Sequence, residues 1–327
     1  MRKVLHVGPC DSPGGMATVM RILAEHPPEG WEAELLASHA PGGLWAKWRA
    51  YRKARRELKR RCADAALRPD VVHVHTAADW SWWRKSRLIR LVRDDGVPVV
   101  VHFHSGQMDM WLAKGGEQRQ RAVKSSLQDD VVRGVVLSSA WQERLAPVLG
   151  PLEVVHNPSS FDGPALKSGR DEHHLLLLGR PDPVKGHAFA VRVAQRLRDV
   201  YPNLTLTMTG QTNSPHDWIN ARGWVSEEEK NTLLCSTSVL LVPSAFEGQP
   251  MVVLEAISAG LPVCVSDRVI GLPDTVRTAA YNDIDAWVET ISAIFADAPS
   301  HETLIASAAP YRIEDVRKRW KHIYESF

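Results

Sequence analysis

Cysteine, long apolar runs, repeats and a strong net charge are all scarce or missing in this chain. Its 327 residues include four cysteines, Cys10, Cys62, Cys235 and Cys264, scattered without CxxC spacing. A reduced, cytosolic protein is the simple inference. No run of eighteen apolar residues occurs, so no transmembrane helix is expected. The apolar part of Met1–Pro9 is too short for a signal peptide and reads better as a first strand. No internal repeat or low-complexity tract is evident. GxGxxG is absent, and no acid sits at the right distance after a second strand, which argues against a dinucleotide site. The net charge is only +2, yet it is unevenly spread. Residues 1–160 hold 24 Lys and Arg against 17 Asp and Glu, whereas residues 161–327 hold 16 against 21.

What is present is a rhythm of short Val- and Leu-rich runs, each followed by a helix-like segment. Val4–Gly8, Val71–His75, Val97–His104, Gly134–Ser138 and Leu152–His156 form one set. Leu175–Gly179, Leu204–Gly210, Val239–Pro243 and Pro262–Ser266 form a second. Nearly continuous apolar strands alternating with helices indicate parallel sheets covered on both faces. The sets are separated by Asn157–Glu172, rich in Pro, Gly, Ser and charge, which is the best linker candidate. The expected fold class is α/β: two doubly wound, Rossmann-like parallel-sheet domains with a cleft between them. The length suits two domains, and ligands belong at C-terminal strand ends. The divisions expected are residues 1–160, residues 161–310 and a terminal helical segment, 311–327.

The densest chemistry lies in LVPSAFEGQPMVVLEAISAGLPVCV, from Leu241 to Val265. Pro250 suits the first turn of a helix, Gly260 its C-terminal cap, and Pro262 forbids continuation. The spacing predicts a short helix over Met251 to Ala259, between two strand-like runs. Its unsatisfied N–H groups around Pro250, Met251 and Val252, reached through Gly248, form a positive end that favours phosphate. Glu255 is the only charge among Met251–Gly260 and so points at a polar partner. Glu247, eight positions earlier, lies at a strand end from which a loop can bring it to the same crevice. Taken alone, the pair also fits a turn carboxylate and a solvated helix carboxylate.

The second strand set opens with LLLLGRPDPVKG. Arg180 and Lys185 are two cations beyond a parallel strand, a pairing that suits a diphosphate or, taken alone, a solvated turn. Near the start of the chain, Gly14 and Gly15 in SPGGMATVM allow close backbone approach ahead of a helix, or simply a tight turn. VVHVHT and VVVHFHSG place His73 with His75, and His102 with His104, one pleat period apart. His73 and His102 read as satisfied core residues. Alternate positions along strands give poor tetrahedral convergence, so no metal is assigned.

Glu-x7-Glu within PSxxEGxPxxxLEAxxxGxPV, GRxxxxKG, the double-glycine loop and a strand-end His occur here in order. Together they resemble the retaining glycosyltransferases of family 4, which have the GT-B fold. The resemblance implies that Glu247 lies against the donor sugar and that Glu255 binds the nucleotide ribose. It further implies that Arg180 and Lys185 hold the donor pyrophosphate, with Gly14 and Gly15 facing donor phosphate and acceptor. His104 would lie near the donor sugar's C6 hydroxyl. Tyr311–Phe327 is similar to the last helix of the family, which crosses back onto the N-terminal domain. Asn157-Pro158 resembles its hinge, and Ser138 matches a position on the acceptor side. VIGLPD departs from the family's GGxPE loop, with Ile270 at the first glycine and a shortened loop after Asp274. Asp283-Ile-Asp285 fits the DxD pattern of metal-dependent transferases, but its place before Ala286–Phe295 makes an N-cap the better reading.

Two aromatic–basic stretches complete the reading. Trp45–Arg61 carries nine basic residues and one acid, Glu57, and Leu44, Trp48, Tyr51, Leu58 and Cys62 form a helical stripe that Arg55 interrupts. Trp80, Trp82 and Trp83 stand among Arg84, Lys85, Arg87, Arg90 and Arg93. Segments 44–62 and 80–93 therefore suit an anionic membrane surface at the cytoplasmic face, or a solvated helix packed on its sheet. The expected function is retaining sugar transfer from a UDP- or GDP-sugar to a hydroxyl acceptor, a lipid-linked or cell-surface glycan, with neither cofactor nor metal and no nucleic acid. The alternatives are a non-hydrolysing sugar-nucleotide epimerase, which needs cleft acids this sequence does not assemble, and a non-catalytic GT-B subunit anchoring a partner transferase. Loss of Glu247, Arg180 or Lys185 would favour the latter; all are present.

Overall fold

Strands and helices alternate along the chain, and the strands sort into two six-stranded sheets in which every pairing is parallel. A computed structural model describes residues 1–161, 163, 169–214 and 216–327. The first sheet comprises β1 (Arg2–Gly8), β2 (Trp31–Ala37), β3 (Val71–Thr76), β4 (Val99–Phe103), β5 (Val132–Val136) and β6 (Glu153–Val154). The second comprises β7 (His174–Leu177), β8 (Thr205–Met208), β9 (Ile219–Ala221), β10 (Val239–Val242), β11 (Val263–Ser266) and β12 (Arg277–Ala279). Their orders are β2-β1-β3-β4-β5-β6 and β12-β11-β10-β7-β8-β9. Each is a doubly wound sheet whose order reverses once, between β1 and β3 in the first and between β7 and β10 in the second. Ligands bind beyond the carboxyl ends of strands at such reversals.

The chain divides into two compact units, Met1–Pro158 with Ile313–Phe327, and Ser159–Arg312. Of the expected linker, residues 162 and 164–168 lie outside the described residues. The last helix, Ile313–Glu325, belongs to the first unit and buries Val316, Trp320, Ile323 and Tyr324, while Tyr311 stays in the second unit's core. In that second unit alternate residues of each strand feed opposite cores. Leu176 and Leu240 join Val253, Leu254 and Ile257 on one face, and Leu175, Leu177 and Leu241 join Val193, Trp287 and Ile291 on the other.

Three strands had no counterpart in the sequence reading: β2, β9 and β12. All are edge strands. An edge is half solvated, so WEAELLA mixes charge with apolar residues, and INA and RTA are only three residues long. None makes the continuous apolar run by which a central parallel strand is read.

Candidate active site

The reversal in the second sheet sets β7 beside β10, and the candidate donor residues follow these two strands. After β7, Asp182 starts a 3-10 turn, Pro183–Lys185, with its carboxylate accepting the Val184 N–H at 3.0 Å. Gly186 ends the turn with φ +74°, and a Cβ there would lie 2.8 Å from the Pro243 carbonyl oxygen. Only glycine permits that approach of the two loops. The Ala245 N–H donates to the Val184 carbonyl at 2.9 Å, tying the loops together. Lys185 Nζ consequently lies 2.5 Å from Glu247 Oε1, which also accepts from Ser244 Oγ at 2.9 Å. Arg180 stands exposed on the same loop. Beneath it, Gly210 (φ +82°) packs so closely that a Cβ would be 2.3 Å from the Gly179 carbonyl.

Beyond β10, Gly248 and Gln249 are buried and Pro250 caps a helix over Met251–Ser258. Pro250 has φ −71° and ψ 119°, so it stands one residue before the helix rather than inside its first turn. Gly260 terminates it at φ +63°. Met251 and Val252 open the helix, where N–H groups have no acceptor within it and carry the positive end of its dipole. Glu255, 2% exposed, is held from two sides. Its Oε1 accepts from Lys230 Nζ at 2.9 Å and from Ser160 Oγ. Its Oε2 is buried with no hydrogen-bond partner among the described residues. Lys230 also pairs with Glu227 at 2.6 Å. Burial pulls the lysine's pKa down, but Glu255 and Glu227 outweigh it and leave the pKa raised. Neither Lys230 nor Ser160 was readable beforehand, because a Lys in EEEKNTLLCS and a Ser beside a linker carry no motif.

In the first unit Gly14 (φ 129°) caps the helix that starts at Gly15, its carbonyl accepting from Ala17 and Thr18 at 3.0 and 3.2 Å. His104 follows β4, partly buried, with Nε2 2.9 Å from His75 Nδ1. His73 and His102 are fully buried; both nitrogens of His73 have partners, whereas His102 Nε2 has none among the described residues, so His102 is not the satisfied core residue expected. Convergence, however, runs across strands rather than along them. Register pairs His6 with His73 and His75 with His102, so five imidazoles share one face of the sheet. His6 carried no signal of its own, since nothing in RKVLHVG announces that register. Burial lowers the pKa of His6 and His104 to about 3 and, with repulsion from neighbouring rings, holds His73, His75 and His102 well below the usual histidine range. All five are neutral in the folded protein near pH 7.

Other expected features take structural places. Asp283 Oδ1 accepts the Ala286 N–H at 3.1 Å, capping the helix Ile284–Ala296. Ser138 caps Ser139–Leu149 through the Trp141 N–H at 3.3 Å. The shortened loop, with Ile270, lines a depression of about 900 Å³ that none of the candidate residues borders. Within 80–93, Trp82 and Lys85 are buried rather than presented outward, because they fall on the face packed against β3 and β4. Trp80 and Trp83 remain outside. The stripe in 44–62 likewise splits. Leu58 and Cys62 are buried and Tyr51 is partly so, but Leu44 and Trp48, with Trp45 beside them, project into solvent. No helix among the described residues is long and apolar enough to cross a membrane.

Comparison with known proteins agrees with this architecture. Residues 13–160 match the family model for Glycosyltransferase Family 4, and residues 172–297 match that for Glycosyl transferases group 1. A glycogen synthase of Mycobacterium tuberculosis is 27% identical over 242 residues, 67% of this chain and 57% of that protein. The chain thus spans little more than half of that relative's length. A D-inositol 3-phosphate glycosyltransferase of Pseudarthrobacter chlorophenolicus is 26% identical over 76% of this chain and 67% of its own. Among solved structures, sucrose-phosphate synthase from Thermosynechococcus elongatus superposes with TM-score 0.71 at 17% identity, covering 99% of this chain and 98% of its own. Anabaena HepE in complex with UDP gives 0.71 at 13% identity over 99% and 100%. With one glycosyltransferase family model on each unit and structural counterparts along the whole length, the chain carries a Glycosyltransferase Family 4 domain and a Glycosyl transferases group 1 domain and has the GT-B fold.

Proposed function

We propose that the chain transfers a sugar from a UDP- or GDP-sugar to a hydroxyl of a lipid-linked or cell-surface glycan, with retention of anomeric configuration. The observation that carries this reading is the Lys185–Glu247 contact at the β7/β10 reversal, beside Arg180 and ahead of the helix that starts at Met251. Arg180, Lys185 and the helix N-terminus neutralise the departing nucleoside diphosphate without a metal at the phosphates. The unpartnered Oε2 of Glu255 accepts from a ribose hydroxyl, as a buried carboxylate oxygen requires a donor. Glu247 orients the donor sugar, and the Lys185 ammonium holds its carboxylate in place. No side chain serves as covalent nucleophile. The departing phosphate assists deprotonation of the acceptor on the same face of the sugar. His104, Gly14 and Gly15 of the first unit serve the sugar and the acceptor side. Trp45, Trp48, Trp80 and Trp83, exposed among arginines and lysines, bring the protein to an anionic membrane at the cytoplasmic face.

Screening UDP- and GDP-sugars for a rise in Tm identifies the donor, since a ligand of the native state alone stabilises it. With that donor and a glycan acceptor, Glu247→Ala is expected to abolish transfer. Near-normal product from this variant overturns the assignment.

A further inference from the structure

The five-histidine face of the first sheet is more polar than a buried parallel sheet needs. Two chains of ring contacts run through it. His6 Nδ1 meets His75 Nε2 at 3.0 Å, and His75 Nδ1 meets His104 Nε2 at 2.9 Å. Tyr324 Oη meets His73 Nδ1 at 2.8 Å, and His73 Nε2 meets His102 Nδ1 at 3.2 Å. The second chain ends at His102 Nε2, which is fully buried and has no hydrogen-bond partner among the described residues. Its ring centroid lies 4.0 Å from that of His104 and 5.4 Å from that of His75. One ring nitrogen each of His75, His102 and His104 falls within 4.8 Å of the others. We propose that these three histidines bind a divalent transition-metal ion, Zn²⁺ above all, with a fourth coordination position open toward solvent beside His104.

The proton count on every ring supports this. A metal ligand needs a lone pair on the ligating nitrogen, and its other nitrogen is normally a donor to a fixed partner. If His102 Nε2 is a ligand, His102 Nδ1–H donates to His73 Nε2, and His73 Nδ1–H then donates to Tyr324 Oη. If His75 Nδ1 is a ligand, its Nε2–H donates to His6 Nδ1. The His6–His75, Tyr324–His73 and His73–His102 contacts each keep one donor and one acceptor, the His75–His104 contact gives way to the shared ion, and the one orphaned imidazole nitrogen gains a partner. In the other group of three, His6, His73 and His75, both nitrogens of His73 and the Nδ1 of His6 are engaged in those contacts, so His6 and His73 form the supporting layer. Neutral imidazoles without thiolate or carboxylate suit Zn²⁺ and its late first-row neighbours. Zn–N bonds of 2.0–2.1 Å in a tetrahedron put ligand nitrogens about 3.3 Å apart. The 2.9 Å contact between His75 and His104 therefore opens by only a few tenths of an ångström. His104 is partly buried at the end of β4, which gives the ion an entrance and leaves a place for water or a hydroxyl. Bound through Nε2, His104 keeps Nδ1–H as a fixed donor. This site is built from residues of the first unit and shares only His104 with the proposed function, so metal binding measured without nucleotide sugar can fail while that reading stands, and the reverse.

The test uses the full chain without an affinity tag, freed of metal by a chelator and titrated with Co²⁺ in the absence of nucleotide sugar. The expected result is one equivalent bound per chain with the visible bands of a tetrahedral or five-coordinate site, displaced by Zn²⁺. His102→Gln and His104→Gln should each weaken binding tenfold or more, and His6→Gln should weaken it through His75 by about 10–100-fold. His26→Gln, at an exposed position of the same unit, should change nothing. Because His102 is in the core, His104→Gln decides the matter if His102→Gln fails to fold. Absence of a one-equivalent Co²⁺ spectrum, or binding unchanged in His104→Gln, overturns the proposal.

Discussion

The two units share a topology and differ in what their sheets carry. In the second, both faces of the sheet are apolar, and Arg180, Lys185, Glu247 and Glu255 stand in loops and a helix beyond the strand ends. In the first, one strand face carries His6, His73, His75 and His102, closed by the side chains of the last helix. Chemistry and core are separable in the second unit and merged in the first. Arg180, Lys185 and Glu247 can be changed with little loss of packing, whereas a change in the histidine face is felt as stability; Glu255, buried against Lys230, is the second unit's exception.

The strongest way to break that contrast is at the closing helix. Trp320 is 1% exposed, with its ring 4.4 Å from His73 and 5.0 Å from His102, centroid to centroid. Trp320→Ala removes a large buried side chain and admits water to the imidazoles. The expected cost is about 3–5 kcal/mol, read from urea or guanidinium unfolding. A loss below about 1 kcal/mol would mean that the helix lies on the face without holding it.

This contrast also explains what was legible in advance. The strand–loop–helix units of the second sheet announce themselves because glycine and proline mark where the backbone must turn. Gly186 is required by the Pro243 carbonyl, and Gly260 by its positive φ. Central strands were readable as Val and Leu runs; the edge strands β2, β9 and β12 were not, because solvent breaks up their apolar pattern. The histidine cluster stayed hidden for a different reason. Spacing along one strand reveals which residues share a face, but only the pairing of His6 with His73 and His75 with His102 brings different strands' rings together. Partners such as Lys230 for Glu255 are long-range contacts of the same kind. In the two aromatic–basic helices, composition was readable and orientation was not, since a helix as rich in Trp and Arg as 80–94 has more than one face that looks amphipathic.

One buried and one partly buried lysine sharpen the comparison with a smaller effect. Lys230 has Glu255 beside it, and its pKa is raised. Lys85 in the first unit has, among the described residues, only the Ser38 hydroxyl as acceptor. Burial, with the Arg84 charge nearby and only slight relief from Cys10, lowers its pKa from 10.5 to about 7. Between these values the unfolded chain holds a proton on Lys85 that the folded protein does not. Stability should therefore rise with pH from about 7 to 10.5, at up to about 1.4 kcal/mol per pH unit, and the full penalty applies below 7. Lys85→Met should be more stable than the parent near pH 7, with the difference shrinking toward pH 10, in unfolding measured across that range. A difference independent of pH would show that Lys85 is charged in the fold.

The smallest effect concerns what the units have in common. Each uses the same local device at helix starts, Ser138 in the first and Asp283 in the second, with a side-chain oxygen accepting an N–H three residues on. Capping is local, so the nature of the sheet behind it should not matter. Ser138→Ala and Asp283→Ala should each cost about 1 kcal/mol in chemical unfolding. Asp283→Asn should cost almost nothing, because Asn caps as well as Asp. The last substitution also discriminates function from structure. Asn keeps the cap oxygen but removes the charge, so a metal-holding Asp283 would lose transfer in this variant while its stability stayed unchanged. Transfer at the parent's rate is the expected outcome; it leaves Asp283 a cap and agrees with the proposal that Arg180, Lys185 and the helix after Pro250 hold the diphosphate.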